Sequence, residues 1–265
     1  SPYLTRARRV LELCREHHLL RDGGNVLEIG TGWVHWEATV LRLFYDVNAT
    51  LIDVWDNRQF SAYKHYLAQL GRYIDSDLGV SRVQSRRARS ELARLLRAQS
   101  FDEAYELLGF QYVVDEEGAL QCLADESFDF IVSCAVLEHV KLGILPTFMK
   151  NMARVLKPGG YSFHTIDIGD HLAYLDSSSH QKQYLAYSER VWKSLFENQV
   201  QYFNRVQRSE WIALFEDNRL ELMSFDEAST TLTGLRIAPQ FQRFSASDLA
   251  CTSLRVIHEK AAIDV

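Results

Sequence analysis

Two groups of residues in this chain have types and spacings that could do chemistry. The first is Glu28-Ile29-Gly30-Thr31-Gly32, an acid and two glycines that close the apolar run begun at Val26. Glycines there accept positive φ and let a ligand approach the backbone. An acid at that position repels phosphate and suits a cationic or hydroxyl-bearing ligand. No lysine follows the glycines, as a phosphate-binding loop requires. Trp33 and Val34 stand where a dinucleotide fingerprint needs a third glycine. About twenty residues on lies Asp53, with Asp56 as a rival; a carboxylate there can accept both hydroxyls of a ribose. The second group is Asp167, Asp170 and His171 in a densely polar stretch. A histidine beside a carboxylate can act as a general base near neutral pH. The same three residues could instead cap a following helix or hold a divalent metal.

The elements that would position these groups follow from periodicity. Helical spacing runs from Leu4 to Leu20, and Asp22-Gly23-Gly24 stops it. A buried strand is predicted over Asn25–Ile29, a helix over His35–Tyr45 and a second strand over Ala49–Val54. That is a βαβ unit with parallel pairing and a right-handed crossover. Helical periodicity then dominates residues 60–110, predicting a helical insertion that forms part of a lid or an oligomer contact. Gln111–Val114 reads as a strand, and Asp125–Cys134 as another with a polar lead-in. An amphipathic helix ends at Pro158-Gly159-Gly160, and a strand follows over Tyr161–Ile166. Residues 177–205 read as a second helical addition. Trp211–Phe215 reads as a helix, Leu220–Phe225 as the sixth strand and Leu249–His258 as the last. The connection Thr230–Phe244 is long enough to help close a pocket.

Composition narrows the function classes. At 265 residues the chain can build one large α/β core, and we expect a single domain over 1–265. The 47 % hydrophobic and 24 % charged fractions are those of an ordinary soluble protein. No apolar run is long enough to span a bilayer and no signal-peptide pattern is visible, so a cytoplasmic protein is expected. The chain begins at Ser1 without an initiator Met, which leaves trimming of a neighbouring domain open. A net charge of −6 argues against broad nucleic-acid binding. Arg82, Arg86, Arg87, Arg89, Arg94 and Arg97 crowd one helical segment, either as a solvated face or as a patch for an anionic partner. The four cysteines form no Cys-x-x-Cys pair, which favours buried thiols over a disulfide framework or zinc site. His139 is expected to pack or cap.

The ordered motifs resemble the class I S-adenosylmethionine-dependent methyltransferases. The resemblance rests on Glu28-x-Gly30-x-Gly32, on Asp53, on Ser127-Phe128-Asp129 leading a strand towards Leu137-Glu138-His139, and on Lys157-Pro158-Gly159-Gly160. It spans Asn25 to Ile168. It implies a Rossmann-like, seven-stranded, mostly parallel sheet with helices on both faces and an antiparallel last strand inserted beside the fifth. It implies S-adenosylmethionine as cofactor. Glu28, Gly30 and Gly32 would hold its amino-acid end and Asp53 its ribose, with Ser133 and Cys134 beside its methionine half through their backbone. Residues 167–205 also look like a subgroup of bacterial methyltransferases of glycan and natural-product pathways, on Ile166-Asp167, Asp170-His171, Tyr174, Asp176, Trp192 and Asn204-Arg205.

The expected activity is O-methylation of a hydroxyl on a sugar or glycan-related metabolite. His171 would be the base and Asp170 or Asp167 its orienting partner. Tyr174, Asn204 and Arg205 would contact the small-molecule or glycan acceptor. N-methylation of an amino sugar or other small amine is the first alternative, and a cofactor-binding scaffold without catalysis is the second. A divalent metal is an open option, not an expectation. The sequence is silent on oligomeric state.

Overall fold

The computed structural model describes residues 2–74, 78, 80–176, 178–196 and 202–262. In chain order its elements are α1 (Pro2–Glu16), β1 (Asn25–Ile29), α2 (Trp36–Phe44), β2 (Asn48–Asp53), α3 (Phe60–Leu70), α4 (Arg82–Leu95), α5 (Phe101–Leu108), β3 (Phe110–Val114), β4 (Phe128–Cys134), α6 (Leu145–Val155), β5 (Leu156–Asp167), α7 (Leu172–Leu175), α8 (Glu189–Leu195), α9 (Arg208–Glu216), β6 (Leu220–Ser229), α10 (Ala246–Ala250) and β7 (Cys251–Lys260). The strands form one sheet in the order β3-β2-β1-β4-β5-β7-β6. β1 runs parallel to β2 and β4, and β2 parallel to β3, whereas β6 and β7 are antiparallel. The last strand thus sits beside the fifth, as the resemblance implies.

The chain groups into two compact units. One comprises Ser1–Ser133 with Arg154–Ser162 and Ala262–Val265; the other comprises Cys134–Ala153 with Phe163–Ala261. In the first unit the chain leaves β1 for β2 on one side, while β4 pairs on the other. An open parallel sheet binds ligands outside the carboxyl ends of its strands where the order reverses in this way. Glu28 and Asp53 sit at those ends. Trp36, Ala38, Val40, Leu41 and Leu43 are each at most 1 % exposed, so α2 is a core helix and not a surface one. The insertion over 60–110 consists of α3, α4 and α5, with residues 75–77 and 79 outside the described residues. Tyr63, Leu67, Leu92, Leu95 and Phe101 bury its inner face. Ser81 and Gln84 form a reciprocal cap that starts α4. Arg82, Arg86 and Arg89 of that helix are exposed, and Arg87 pairs with Asp46 at 3.1 Å, the pattern of a solvated face.

One boundary differs from the sequence reading. Helix α6 ends at Val155, and Lys157-Pro158-Gly159-Gly160 belongs to the first half of β5. A Cβ on Gly160 would lie 2.9 Å from the Leu156 side chain and 3.0 Å from the Asp129 carbonyl, so that position excludes any side chain. Gly160 serves strand packing, and the helix has already ended at Val155. Lys157 meanwhile holds both Asp129 carboxylate oxygens at 2.8 Å.

In the second unit, Tyr184, Leu185, Trp192, Phe203, Ala238, Phe241 and Leu249 form a hydrophobic cluster, against which Leu232, Leu235, Ile237 and Phe244 pack. The long connection after β6 is therefore core-forming. Of the helical excursion predicted over 177–205, the described part is a short 3-10 turn at Gln183–Ala186 followed by α8; Ser177 and residues 197–201 lie outside the described residues. All four cysteines are free, with Cys14 and Cys251 buried and Cys122 exposed, so buried thiols hold for only part of the set. Among the described residues no helix is long and apolar enough to cross a membrane.

Candidate functional site

In the first unit the glycine turn is built as its sequence demands. Gly30 and Gly32 both adopt φ of 63°, in the left-handed region that favours glycine. The Gly30 and Thr31 amides donate to the Ile52 carbonyl at 2.8 and 3.2 Å, which fastens the turn to β2. The Gly32 amide donates to Asp53 Oδ2 at 2.9 Å, and the Val54 amide to Asp53 Oδ1 at 2.8 Å. Each of those oxygens keeps a lone pair, so the carboxylate can still accept from a diol. A Cβ at Gly32 would meet nothing nearer than 3.9 Å, which leaves the backbone open on that side. Trp33 and Trp55 are 52 % and 62 % exposed, large apolar faces flanking the turn and Asp53.

Glu28 lies behind the turn. It is 3 % exposed, and its Oε2 accepts the Ala38 amide at 2.6 Å in the first turn of α2. Burial, and then the neighbouring Glu37 carboxylate, push its pKa up to about 8. Glu37 is held in turn by Arg6, with two contacts of 2.6 Å.

His35 escaped the sequence reading, which saw only the start of a helix there. It precedes α2 with φ of 45° and is fully buried. Its Nδ1 lies 2.8 Å from Thr31 Oγ1 and its Nε2 lies 2.7 Å from the Tyr105 hydroxyl. Burial, then the Arg58 charge, lowers its pKa to about 3, so the ring is neutral at physiological pH. Tyr105 belongs to α5, so the imidazole joins the glycine turn to the helical insertion. A second tie runs from Thr39 in α2 to the Tyr63 hydroxyl of α3, at 3.2 Å. No periodicity or motif announces this partnership.

The donor set fits S-adenosylmethionine. Asp53 suits a ribose diol and the open glycine backbone suits close approach, while Glu28, buried behind the turn, has its Oε2 on the Ala38 amide. Ser133, 1 % exposed, pairs with Ile29 in the β1–β4 ladder.

In the second unit, Asp167 ends β5. Its Oδ1 accepts the Gly169 amide at 2.8 Å and its Oδ2 the Tyr174 hydroxyl at 2.5 Å. His171 Nε2 stands 3.7 Å from Asp167 Oδ2, within ion-pair range but beyond hydrogen-bond length. The imidazole is wedged between the rings of Phe203 and His139, with centroids 4.6 and 5.3 Å away. Burial lowers the His171 pKa and His139 adds to the effect, while Asp167 opposes it. The ring is thereby kept in its basic, unprotonated form.

Asp170 points elsewhere. It is 1 % exposed, and its two oxygens accept the Leu172 amide at 2.9 Å and the Tyr184 amide at 2.7 Å. The trio Asp167, Asp170 and His171 does not converge on a common point. Among the described residues no cluster of three metal-ligating side chains occurs. Asn204 clamps the 3-10 turn at Leu137–His139, its Nδ2 donating to the carbonyls of Leu137 at 2.8 Å and Val140 at 3.1 Å. Arg205 donates to Glu189 Oε2 at 2.6 Å, and its guanidinium lies 4.8 Å over the Trp192 ring. His139, for which packing or capping was expected, bonds through Nδ1 to the Tyr202 carbonyl at 2.7 Å. The Thr165 hydroxyl donates to Cys134 Sγ at 3.0 Å.

Some of these residues line two separate cavities, and His171 is in the lining of neither. A cleft of about 530 Å³ is lined by Asp167, Asp170 and Tyr174. A separate cavity of about 570 Å³ is lined by Asn204, Arg205 and Arg243. Sequence reading placed Tyr174, Asn204 and Arg205 on one acceptor surface, whereas the structure puts Tyr174 in the first and the other two in the second.

Glu138 also went unassigned, although it sits inside the Leu-Glu-His run that carried the resemblance. It is 2 % exposed; Oε1 accepts the Asp167 amide at 3.2 Å, and Oε2 has no partner among the described residues. Burial, and then the Asp167 charge, push its pKa up to about 8.

Residues 4–224 match the family model described as "Methyltransferase domain". No curated protein matches the chain. Similar solved structures include a SAM-dependent methyltransferase of Methanosarcina mazei, at 16 % identity and a TM-score of 0.50, covering 94 % of this chain and 98 % of that one. Another is Haemonchus contortus phosphoethanolamine N-methyltransferase 2 in complex with S-adenosyl-L-methionine, at 14 % identity and 0.51, covering 96 % and 52 %. A third is geranyl diphosphate C-methyltransferase of Streptomyces coelicolor, at 13 % and 0.51, covering 95 % and 79 %. At such identities the likeness is one of fold.

Proposed function

The chain belongs to the methyltransferase-domain family and is an S-adenosylmethionine-dependent methyltransferase, and from that premise we propose that it O-methylates a hydroxyl of a sugar or glycan-related metabolite. The observation that carries the reading is the imidazole of His171 standing 3.7 Å from the carboxylate of Asp167, a residue that lines the polar cleft of the second unit. An alcohol is a poor nucleophile until its proton is removed, whereas an amine needs no such help.

When bound, S-adenosylmethionine supplies a methyl already activated on a sulfonium. In this reading Gly30 and Gly32 let its amino-acid end approach the backbone, with Glu28 bracing the turn from behind. Asp53 accepts the ribose hydroxyls, and Trp55 offers the adenine an apolar face. Ser133 and Cys134 border the methionine half through main-chain atoms. His171 would take the proton of the acceptor hydroxyl as that oxygen receives the methyl, which S-adenosylmethionine would supply with the thioether as leaving group. Asp167 steadies the imidazolium so formed, and the Tyr174 hydroxyl fixes the carboxylate in place. Because the reaction is an in-line displacement, most of what remains for the protein is alignment.

A test is mass-spectrometric screening of neutral sugars and amino sugars with isotopically labelled cofactor, followed by chemical location of the methyl. Methyl on oxygen, lost in His171→Ala with cofactor affinity unchanged, supports the reading. Methyl on nitrogen, with turnover preserved in His171→Ala, replaces it by N-methylation, which the anionic Asp167 would serve by holding an ammonium.

A further inference from the structure

The lining of the 530 Å³ cleft says what kind of group it takes. Besides Asp167, its polar residues include Thr165, Tyr174, Ser179, Gln181, Thr252 and Ser253. Five of these carry hydroxyls and one an amide; the Thr165, Tyr174 and Ser179 hydroxyls donate to Cys134, Asp167 and Asp176 and keep lone pairs to accept, while Gln181, Thr252 and Ser253 carry groups that can both donate and accept, as a polyol does. Among the described residues no lysine or arginine lines the cleft. The nearest cations are committed elsewhere. Lys182 is fully buried, and its Nζ donates to the carbonyls of Cys251 at 2.8 Å and Ile168 at 3.1 Å, with Gln207 at 3.4 Å. Arg205 pairs with Glu189 through Nη2 and lines the other cavity.

Resting on the acceptor-site reading above, we infer that the part of the acceptor entering this cleft is hydroxyl-rich and carries no anionic group. A phosphate or carboxylate there would face the Asp167 carboxylate with no guanidinium or ammonium to receive it. Two like charges some 4–6 Å apart near a protein surface weaken binding by roughly ten- to hundredfold. A neutral sugar loses nothing by this, and an ammonium gains.

The experiment is saturation-transfer NMR on the full chain loaded with S-adenosylhomocysteine, using methyl glucoside, glucosamine and glucose 6-phosphate as probes at matched millimolar concentration. The expected result is signal from the first two, little from the phosphate, and loss of signal in Ala173→Trp, which fills the cleft. Thr252→Arg, placing a cation on its wall, should bring the phosphate in. Equal or tighter binding of glucose 6-phosphate to the wild type overturns the inference, as does binding that Ala173→Trp leaves untouched or silence from all three probes. Selective binding without methyl transfer would count against the proposed activity alone, because this readout does not depend on turnover.

Discussion

Asp170 and Asp167 are adjacent acids that the structure sends to different work, and paired substitutions separate them. In Asp170→Asn the side chain keeps its size but loses one acceptor oxygen. Its amide nitrogen must then face either the Leu172 or the Tyr184 amide, both held at under 3 Å in the native chain. Loss of a charge-assisted bond is worth about 1.5–3 kcal/mol, and a buried N–H left bare adds about 1–3 kcal/mol. Relief from burying a charge offsets part of that sum. Its sign is visible in the raised pKa of Asp170, which burial causes. A net loss of about 3 kcal/mol is expected. In a chain of this size that lowers the melting temperature by roughly 6–12 °C. Turnover per folded molecule should stay within about threefold of wild type, a change under 1 kcal/mol. Asp167→Asn should do the opposite. Its side chain is 20 % exposed and an asparagine there keeps one acceptor oxygen for Gly169 or Tyr174, so stability should fall by about 1–2 kcal/mol, less than in Asp170→Asn, while loss of the orienting charge should cut turnover by roughly 10–100-fold. Differential scanning fluorimetry and initial rates under saturating cofactor measure both. If Asp170→Asn melts like wild type yet loses turnover, Asp170 is the catalytic acid and the assignment is refuted.

Four further outcomes follow from the geometry. His171→Ala should lower turnover by about 10²–10⁴-fold, with cofactor affinity by calorimetry unchanged. Asp53→Ala should weaken cofactor binding by about 1–3 kcal/mol through loss of charge-assisted bonds, and unaltered affinity would remove Asp53 from the site. Tyr105→Phe, which leaves His35 Nε2 without its partner, should destabilise the chain by about 1–2 kcal/mol and weaken cofactor binding as the turn loosens. Acid stability should follow three buried imidazoles. His35, His164 and His258 have pKa values lowered to about 3, chiefly by burial, so between pH 6.5 and 3 the unfolded chain binds protons that the folded chain refuses. Stability is therefore lost as pH falls through that window, at up to ~1.4 kcal/mol per pH unit for each ring. Down to pH 4.5 the loss is opposed by Glu28 and Glu138, which hold protons in the fold from about pH 8. Urea midpoints should fall more steeply below pH 4.5 than above it; a flat profile down to pH 4 contradicts the burial of these rings.

The parts legible in sequence are those set by short-range spacing. Val26 to Gly32 announces a strand and a turn because apolar run, acid and glycines lie within seven residues. Asp53 follows because β2 must end level with β1. The sheet order is readable because strands alternate with helices. The opaque parts are partnerships across long stretches of chain. Asp170 looked like a candidate partner for His171 from adjacency, but Tyr184, fourteen residues on, competes for its carboxylate. Asn204 meets the carbonyl of Leu137, a contact no window contains. His35 and Glu138 carry ordinary local signatures, and only the arrival of Tyr105 and Asp167 makes them notable. The Pro-Gly-Gly stop was read by its helix-ending habit, while the close approach of the Asp129 carbonyl, which excludes any side chain at Gly160, is a tertiary fact.

The bond between His35 and Tyr105 binds the helical insertion to the ligand turn as a matter of reciprocity. Whatever steadies the glycine turn must steady α5 by the same free energy. A bound cofactor would then slow amide exchange in residues 101–108, although that helix supplies none of the proposed cofactor contacts. The converse bears on engineering: the insertion cannot be trimmed as a dispensable ornament, since its removal would strip a buried imidazole of its hydroxyl partner. Homologues that lack these helices would need a different residue at position 35, and covariation between positions 35 and 105 is the trace that such coupling would leave in a lineage.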